Sequence, residues 1–577
     1  MESVDWLPPT IVQAAGLPDD ALWRQAATQL AAWWAPPARV TAPDSKPVAT
    51  PEDFWVAVHA FAGGAESVFT HAAASSLMEA APRALRSARR ALAIANVDAE
   101  YITVFLGQRK IILDETSLPY SDWHDPVSLG RAGFLCFDGR SLTEVISPIH
   151  VLQKNELRFR PQFGVSGQPP EWHIYIGRQF IIKVSDVPTG VPIVTELLRG
   201  QPFISESMIT RREVESMAHE AAGWLLRNVG PDGHLPSEVT TAQGGPAATA
   251  DVGNELQEWM ATRTLVEAAR REKSVTALAA ARRNVQLNLS RFYHDEDDYG
   301  VIEMSGHVQL GAAAIAALTL KEFPDAPPEW KDKEQRLERL VSFLWRNNGS
   351  FRTFLRPSPR SLENDHLYSG EAMLYWASLL SESAESSLLK RYRRSAEYYR
   401  DWQRKNRDPS LVPWHTMATM AAWPLTSKTP GAEWVFEMND WLLGFQQAEG
   451  APSHPDTAGR FYDPEQAINT ADVPVSGLYL EGLSAALRLA RITGDITRGK
   501  SYALGIRRGL RMARQLQFAG AADFLGLPAA LRLTARGGFR TTQYDSTIRC
   551  ENVQHILRAC WSALAFPDDA GLFAVSP

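Results

Sequence analysis

Acids, histidines, tyrosines, tryptophans and arginines recur at one kind of place in this sequence, the start of a segment rich in small and apolar residues. The stretch HLYSGEAMLYWASLL shows the pattern: Asp365, His366, Tyr368 and Glu371 come just before or within the first turn of such a run. Asn254, Glu255 and Glu258 open another. So do Glu303, His307 and Gln309, then Trp414 and His415, then Tyr479 and Glu481, then Arg549, Glu551, Asn552 and His555. The intervening stretches add Asp232, Arg352, Arg460, Tyr462, Arg540, Tyr544 and Asp545. Two carboxyl groups can act at a glycosidic bond as general acid and as base or nucleophile. A tyrosine or histidine can move a proton in elimination or epimerisation beside a sugar carboxylate. Arginine pairs with anionic groups, and tryptophan stacks on a sugar face. Glu371 and Glu481 are therefore read as acid and base, with His415, Tyr368 and Tyr479 as proton-transfer or orienting groups. Glu255, His307, Asp365, Trp414, Arg540, Asp545 and Arg549 are read as substrate-binding groups. Any one first-turn acid is equally explained as a partner of the helix dipole; the recurrence is what points to a site.

Residues this far apart meet only if one architecture gathers them. From about residue 210 a helical period sets in and persists. Leu337, Leu340, Val341 and Leu344 follow the i, i+3, i+4, i+7 spacing of a one-sided helix. Tyr502, Ile506, Leu510 and Ala513 do the same, with Arg507, Arg508, Arg511 and Arg514 outside the stripe. Between such helices lie segments apolar around most of their circumference, such as GHVQLGAAAIAALTL and SGLYLEGLSAALRLA. A helix apolar all round is buried. The periodicity predicts twelve helices, at 212–228, 254–270, 273–293, 305–322, 330–347, 369–382, 385–406, 413–426, 431–448, 476–492, 496–517 and 548–565. Connections into a buried helix are mostly long and those out of it short. That alternation predicts a mainly α chain, an (α/α)6 toroid of six parallel inner helices and six returning outer ones. The long loops would then ring a mouth at the inner helices' N-termini. A Gly-x-apolar step, in PDGHL, DYGVI, NNGSF and RGGFR, follows several outer helices.

Ahead of the toroid, residues 1–98 read as a helical, Ala-rich segment and 99–205 as a β-rich module, with 206–577 as the toroid domain. EYITVFLGQRKIILDE and EWHIYIGRQFIIKV carry the strand signal.

The chain has 577 residues and a net charge of −7, which argues against a dedicated nucleic-acid binder. Three cysteines exclude a disulfide scaffold. No apolar run approaches the roughly 18–20 residues of a membrane span, and MESVDWLPPT lacks a basic segment leading into an apolar one. A cytoplasmic protein is expected. No Gly-rich phosphate loop is present, so neither nucleotide nor other cofactor is expected. Asp295, Asp297 and Asp298 have the D-x-D-D spacing of class II terpene cyclases, yet stand in an acidic turn that reads as a solvated cluster. Cys550, His555 and Cys560 fall on different faces of one helix, so no metal is expected there.

The helix alternation, together with YSGEAMLYWASLL, VPWHTMATMAAW and GLYLEGLSAALRLARITGD, resembles the six-hairpin (α/α)6 superfamily over roughly residues 210–570. That superfamily holds glycoside hydrolases, unsaturated glucuronyl hydrolases, polysaccharide lyases and sugar 2-epimerases. The resemblance implies a carbohydrate-active enzyme working on a glycan or uronate-containing polymer by hydrolysis, elimination or epimerisation. No single family's catalytic signature matches, so it carries over no catalytic residue. Other readings stay open: a non-catalytic toroidal scaffold in a biosynthetic complex, with the N-terminal module docking a protein partner, or an enzyme on another anionic polymer or a terpenoid.

Overall fold

The computed structural model describes residues 53–62, 65–112, 133–137, 142–146, 172–184, 194–198, 201–240, 248–250, 253–357, 366–383, 385–426, 431–447, 455–461, 473–520, 523, 529–542 and 547–573, with positions 26, 29–30 and 33–34. Asp365, Tyr462, Tyr544 and Asp545 lie outside these residues.

An antiparallel sheet comes first. Its hairpin of β1 (Phe54–Ala62) and β2 (Ala65–Ala74) pairs through β1 with β3 (Tyr101–Ile112). The sheet continues through β4 (Gly133–Phe137), β5 (Leu142–Ile146) and β6 (Trp172–Lys183) in the order β2-β1-β3-β6-β4-β5. β7 (Val194–Leu198) adds to β6, and β8 (Gln201–Pro202) to β7. Helix α1 (Leu77–Ala95) lays Leu77, Ala81, Ala84, Leu85 and Ala88 on Val56, Val58, Ile102, Val104 and Leu106. The β1–β2 hairpin falls inside the segment that the sequence reads as helical, a correction to 1–98. Its alanines suit either state, and the sheet partner decides; Val56 and Val58 on one face of β1 carried the alternation.

The helical part is a closed double ring. Its outer helices are α2 (Arg211–Asn228), α4 (Val275–Phe292), α6 (Pro328–Leu344), α8 (Ser386–Asn406), α10 (Gly431–Leu443) and α12 (Ile496–Leu516). Its inner helices are α3 (Glu255–Glu272), α5 (Leu310–Glu322), α7 (Ser369–Glu382), α9 (Leu411–Thr426), α11 (Val473–Thr493) and α14 (Cys550–Leu564). A short α13 (Ala529–Ala535) lies in the last long connection. Each inner helix packs on the next, α3 on α5, α7, α9, α11 and α14 in turn, and α14 returns to α3. The fold is the expected (α/α)6 toroid, and it follows from this chain's own helix order.

Two glycine devices set the ring's dimensions. Inside, glycines let inner helices touch backbone to backbone. A Cβ on Gly370 of α7 would stand 2.4 Å from Trp414 Cβ of α9, and one on Gly482 of α11 would stand 2.6 Å from Pro413 Cα. Outside, the Gly-x-apolar step has a common geometry. Gly233, Gly349 and Gly537 have φ of +93°, +102° and +86°, and each abuts a carbonyl of an adjacent outer helix: Arg283, Arg394 and Glu220. Gly459, in AGRF, has φ +90° and abuts Arg508 in the same way. Gly300 differs, with its contact on Tyr293. The apolar residue two places on is buried in each case: Leu235, Ile302, Phe351, Phe461 and Phe539. Backbone-only contact at positive φ admits glycine alone, which is why the step repeats while the helices around it do not.

Candidate functional site at the mouth of the ring

Five of the six inner helices carry polar side chains in their N-terminal halves, and the sixth, α5, follows a polar N-cap, Gln309. On α3, Asn254 caps the helix and exchanges bonds with Gln257, whose Nε2 donates to Glu551 of α14 at 2.9 Å. Glu255 is buried and accepts from Gln309 Nε2 at 2.6 Å. Gln309 is the N-cap of α5, preceded by the short strand His307–Gln309; α5 therefore begins later than the expected 305. His307 is exposed in that strand, and Glu303 is tied to Arg356.

Helix α7 holds the most unusual pair. Tyr368, its N-cap, has φ +63°, a conformation costly for a side chain of this size. Its ring fits against α5 because residue 311 is glycine: a Cβ there would stand 2.8 Å from Tyr368 Cγ. Burial raises the Tyr368 hydroxyl above its usual pKa, and the nearby charges of Glu371 and Glu255 raise it further. Glu371, one turn into α7, is 4% exposed. Burial pushes its carboxyl up to about 8, opposed by the helix-start backbone N–H that it accepts. It is therefore a neutral acid at pH 7, a proton donor in a dry setting.

Across the ring, Trp414 of α9 meets the His555 ring edge to face at 6.4 Å, so the mouth narrows here. His555 Nδ1 bonds Glu481 Oε1 at 2.8 Å, and Arg558 Nε donates to Glu481 Oε2 at 3.0 Å. Arg558 also reaches Glu267 at 2.8 Å, while Arg263 grips Glu322 with two bonds of 2.8 Å. Glu481 is thus not a first-turn residue. α11 starts at Val473, earlier than the expected 476, and puts Glu481 two turns in, inside a buried ion network. Its carboxylate orients His555, leaving Nε2 as the ring nitrogen open to another partner.

The remaining expected residues take other positions. His415 is fully buried between Tyr399 and Trp434, with Nε2 3.0 Å from Ser369 Oγ; burial alone lowers it to about 3. Tyr479 packs edge-on to Phe461 at 5.2 Å. Arg540 is 2% exposed, stacks over Phe518 at 3.9 Å and donates to the carbonyls of Asp523 and Leu516. An arginine so enclosed clamps its loop. Arg549 lies 3.6 Å from Glu238. Asp295 is held by Tyr293 and Arg336 on the outer side. His555 is not among the residues that the sequence assigns to the site; its signal is the Glu481 partner on a neighbouring inner helix, a pairing no linear spacing reveals. Among the described residues no cluster of His, Cys, Asp and Glu could hold a metal ion, and no helix is long and apolar enough to cross a membrane.

No protein-family model and no curated protein matches the chain. Solved structures do. An α-1,6-mannanase from a Salegentibacter species is 9% identical, with a TM-score of 0.44, covering 61% of this chain and 98% of its own. A cellobiose 2-epimerase from Spirochaeta thermophila is 13% identical, with a TM-score of 0.43 and coverages of 61% and 95%. An unsaturated glucuronyl hydrolase from Streptococcus agalactiae is 11% identical, with a TM-score of 0.41 and coverages of 61% and 91%. These neighbours are carbohydrate-active enzymes by name. Their likeness to this chain is one of helical path, at identities that transfer neither residue roles nor substrate.

Proposed function

We propose that the chain is a carbohydrate-active enzyme whose mouth transfers protons to and from a glycan or uronate-containing substrate. The observation that carries the reading is Glu371, a carboxylic acid kept neutral by burial at the N-terminus of an inner helix, beside Tyr368, whose hydroxyl feels the charges of both Glu371 and Glu255. Glu371 donates a proton to a leaving oxygen or to a developing enolate. A proton acceptor must work beside it, and the mouth offers two. Glu255 is steadied by Gln309, and His555 presents Nε2 because Glu481 holds Nδ1. An acid and a base set apart by environment are the requirement shared by hydrolysis, elimination and epimerisation. Trp414 supplies the flat face on which a sugar stacks. Tyr368 orients the substrate hydroxyl next to Glu371.

The test is turnover of a panel of neutral and uronate-terminated oligosaccharides, read by new reducing ends, by absorbance of an unsaturated uronate and by epimer formation. Glu371→Gln is expected to lower the responding activity about 10²–10⁴-fold, the range of a lost general acid. Unchanged turnover in this variant removes Glu371 from the chemistry. A panel without any turnover by the unaltered protein favours the binding-scaffold reading.

A further inference from the structure

The charge of the mouth bears on which sugar it takes. Glu255 of α3 is 3% exposed, and its hydrogen-bond partner among the described residues is a neutral amide, Gln309. Glu551 of the adjacent α14 likewise meets an amide, Gln257. A carboxylate taken out of water is costly unless a cation accompanies it. The cations at this end of the ring are already engaged. Within the first three turns of the inner helices and in the short strands before them, the described residues include four arginines and no lysine. Arg558 is shared by Glu481 and Glu267, and Arg263 is gripped by Glu322. Arg356 lies between Glu296 and Glu303, and Arg549 lies by Glu238. The sequence adds charge of the same sign. On the way into α7, α11 and α14, positions 358–365, 448–454, 462–472 and 543–546 carry seven acids and one arginine, Arg360. A concave site with one sign of charge draws ligands of the other.

We infer that the sugar unit seated in the mouth carries an amine, held as an ammonium by Glu255, and that a uronate unit is disfavoured there. This rests on the carbohydrate reading of the mouth and narrows it. An ammonium brings the cation that Glu255 lacks and donates to its carboxylate in a charge-assisted hydrogen bond. A uronate would set a second carboxylate beside Glu255, with the arginines of the ring already on other acids. The anchor and the proton donor stand close. Glu255 is tied to the N-cap of α5, and one residue past the first of that helix, Gly311 receives the Tyr368 ring. The Tyr368 hydroxyl feels the charges of both Glu255 and Glu371, so the two carboxyl groups flank one side chain. With Glu255 engaged by the amine, His555 is the proton acceptor of the pair that the mouth offers, its Nδ1 held by Glu481.

The experiment is calorimetric titration with D-glucosamine, D-glucose and D-glucuronate at about pH 6, where a sugar amine is charged. The unaltered protein is expected to bind glucosamine about tenfold or more tightly than glucose, with glucuronate the weakest. Glu255→Gln keeps an oxygen for Gln309 and removes the charge. It is expected to bring glucosamine down to the affinity of glucose while glucose binds as before. Equal affinity for glucosamine and glucose in the unaltered protein overturns the inference, with no variant needed. So do glucuronate binding tightest, a preference for glucosamine that survives Glu255→Gln, or no heat from glucosamine at millimolar concentration. Amine-bearing oligosaccharides added to the turnover panel separate this inference from the reading beneath it. An amine preference without turnover of any of them leaves the inference standing and removes the enzyme. Turnover of a uronate-terminated oligosaccharide that Glu371→Gln abolishes keeps the enzyme and overturns the inference.

Discussion

Glu371 and His415 have burial in common and opposite protonation logic. Glu371 has a folded pKa of about 8 against 4.5 in an unfolded chain. Between those values the unfolded state sheds its proton first, so stability falls as pH rises from about 4.5 to 8 and levels off above. The slope for one proton is about 1.4 kcal/mol per pH unit. Glu371→Gln is expected to melt higher than the unaltered protein at pH 7 and the same at pH 4, a gain in stability coupled to a loss of activity. Calorimetric melting across pH 4–9 checks this. His415 runs the other way. Its folded pKa of about 3 lies below the unfolded 6.5, so its contribution is complete above 6.5 and is lost as pH falls toward 3. His415→Phe, which keeps the aromatic contacts with Tyr399 and Trp434, is expected to flatten the acid limb of the same curve. At this scale the sequence told residue types and helix starts, so the mouth position of Glu371 was legible from SGEAMLYWASLL. Whether an acid stands free, like Glu371, or is locked by an arginine seventy-seven residues away, like Glu481 by Arg558, depends on a neighbouring helix. Arg540 looked like an anion binder for the same reason: its carbonyl partners come from a distant turn.

At the scale of elements, the ion network and the glycine steps do separate work. Arg558 ties three inner helices together, α14, α11 and α3, through Glu481 and Glu267. Arg558→Met leaves Glu481 buried without its cation, while Glu267 keeps Arg271, and is expected to cost about 3–5 kcal/mol in urea unfolding. The glycine steps fix outer helices to their neighbours. Gly537→Ala, at φ +86° and with its Cβ 1.9 Å from the Glu220 carbonyl oxygen, is expected to cost roughly 3 kcal/mol or more. Gly494→Ala has a φ of +75° but nothing within 4 Å, and is expected to cost about 1 kcal/mol for the left-handed backbone. Equal costs at the two positions would show that conformation, not close approach, selects these glycines. Helix limits were legible where small-residue runs end in polar caps. The 369–382 span matches Ser369–Glu382, and 496–517 nearly matches Ile496–Leu516. They were less so where a strand leads straight into a helix, as at His307–Gln309.

For the whole molecule, the alternation of long and short connections made the ring readable from one dimension, since six parallel inner helices force every long loop to one end. The sheet was read from β3 and β6, but β1 and β2 were hidden by alanine. The domain boundary has a physical anchor slightly upstream of 206. Arg511, almost fully buried, donates to the Ile204 carbonyl at 2.8 Å, and Gln515 bonds both Pro202 and Ile204. A chain beginning at residue 199 is expected to keep the melting temperature of the ring. One beginning at residue 210 is expected to melt several degrees lower, with Arg511 and Gln515 deprived of those partners. Equal melting of the two would make 201–206 a passive linker.

The central claim is a carboxylic acid held neutral at the mouth, and its protonation can be observed without a substrate. Infrared difference spectroscopy of the unaltered protein minus Glu371→Gln, titrated from pH 4 to 10, isolates that one carboxyl band. The account predicts a protonated C=O stretch that persists at pH 7 and disappears with a midpoint near 8. A carboxylate already formed at pH 7, with a midpoint near 4.5, would contradict it.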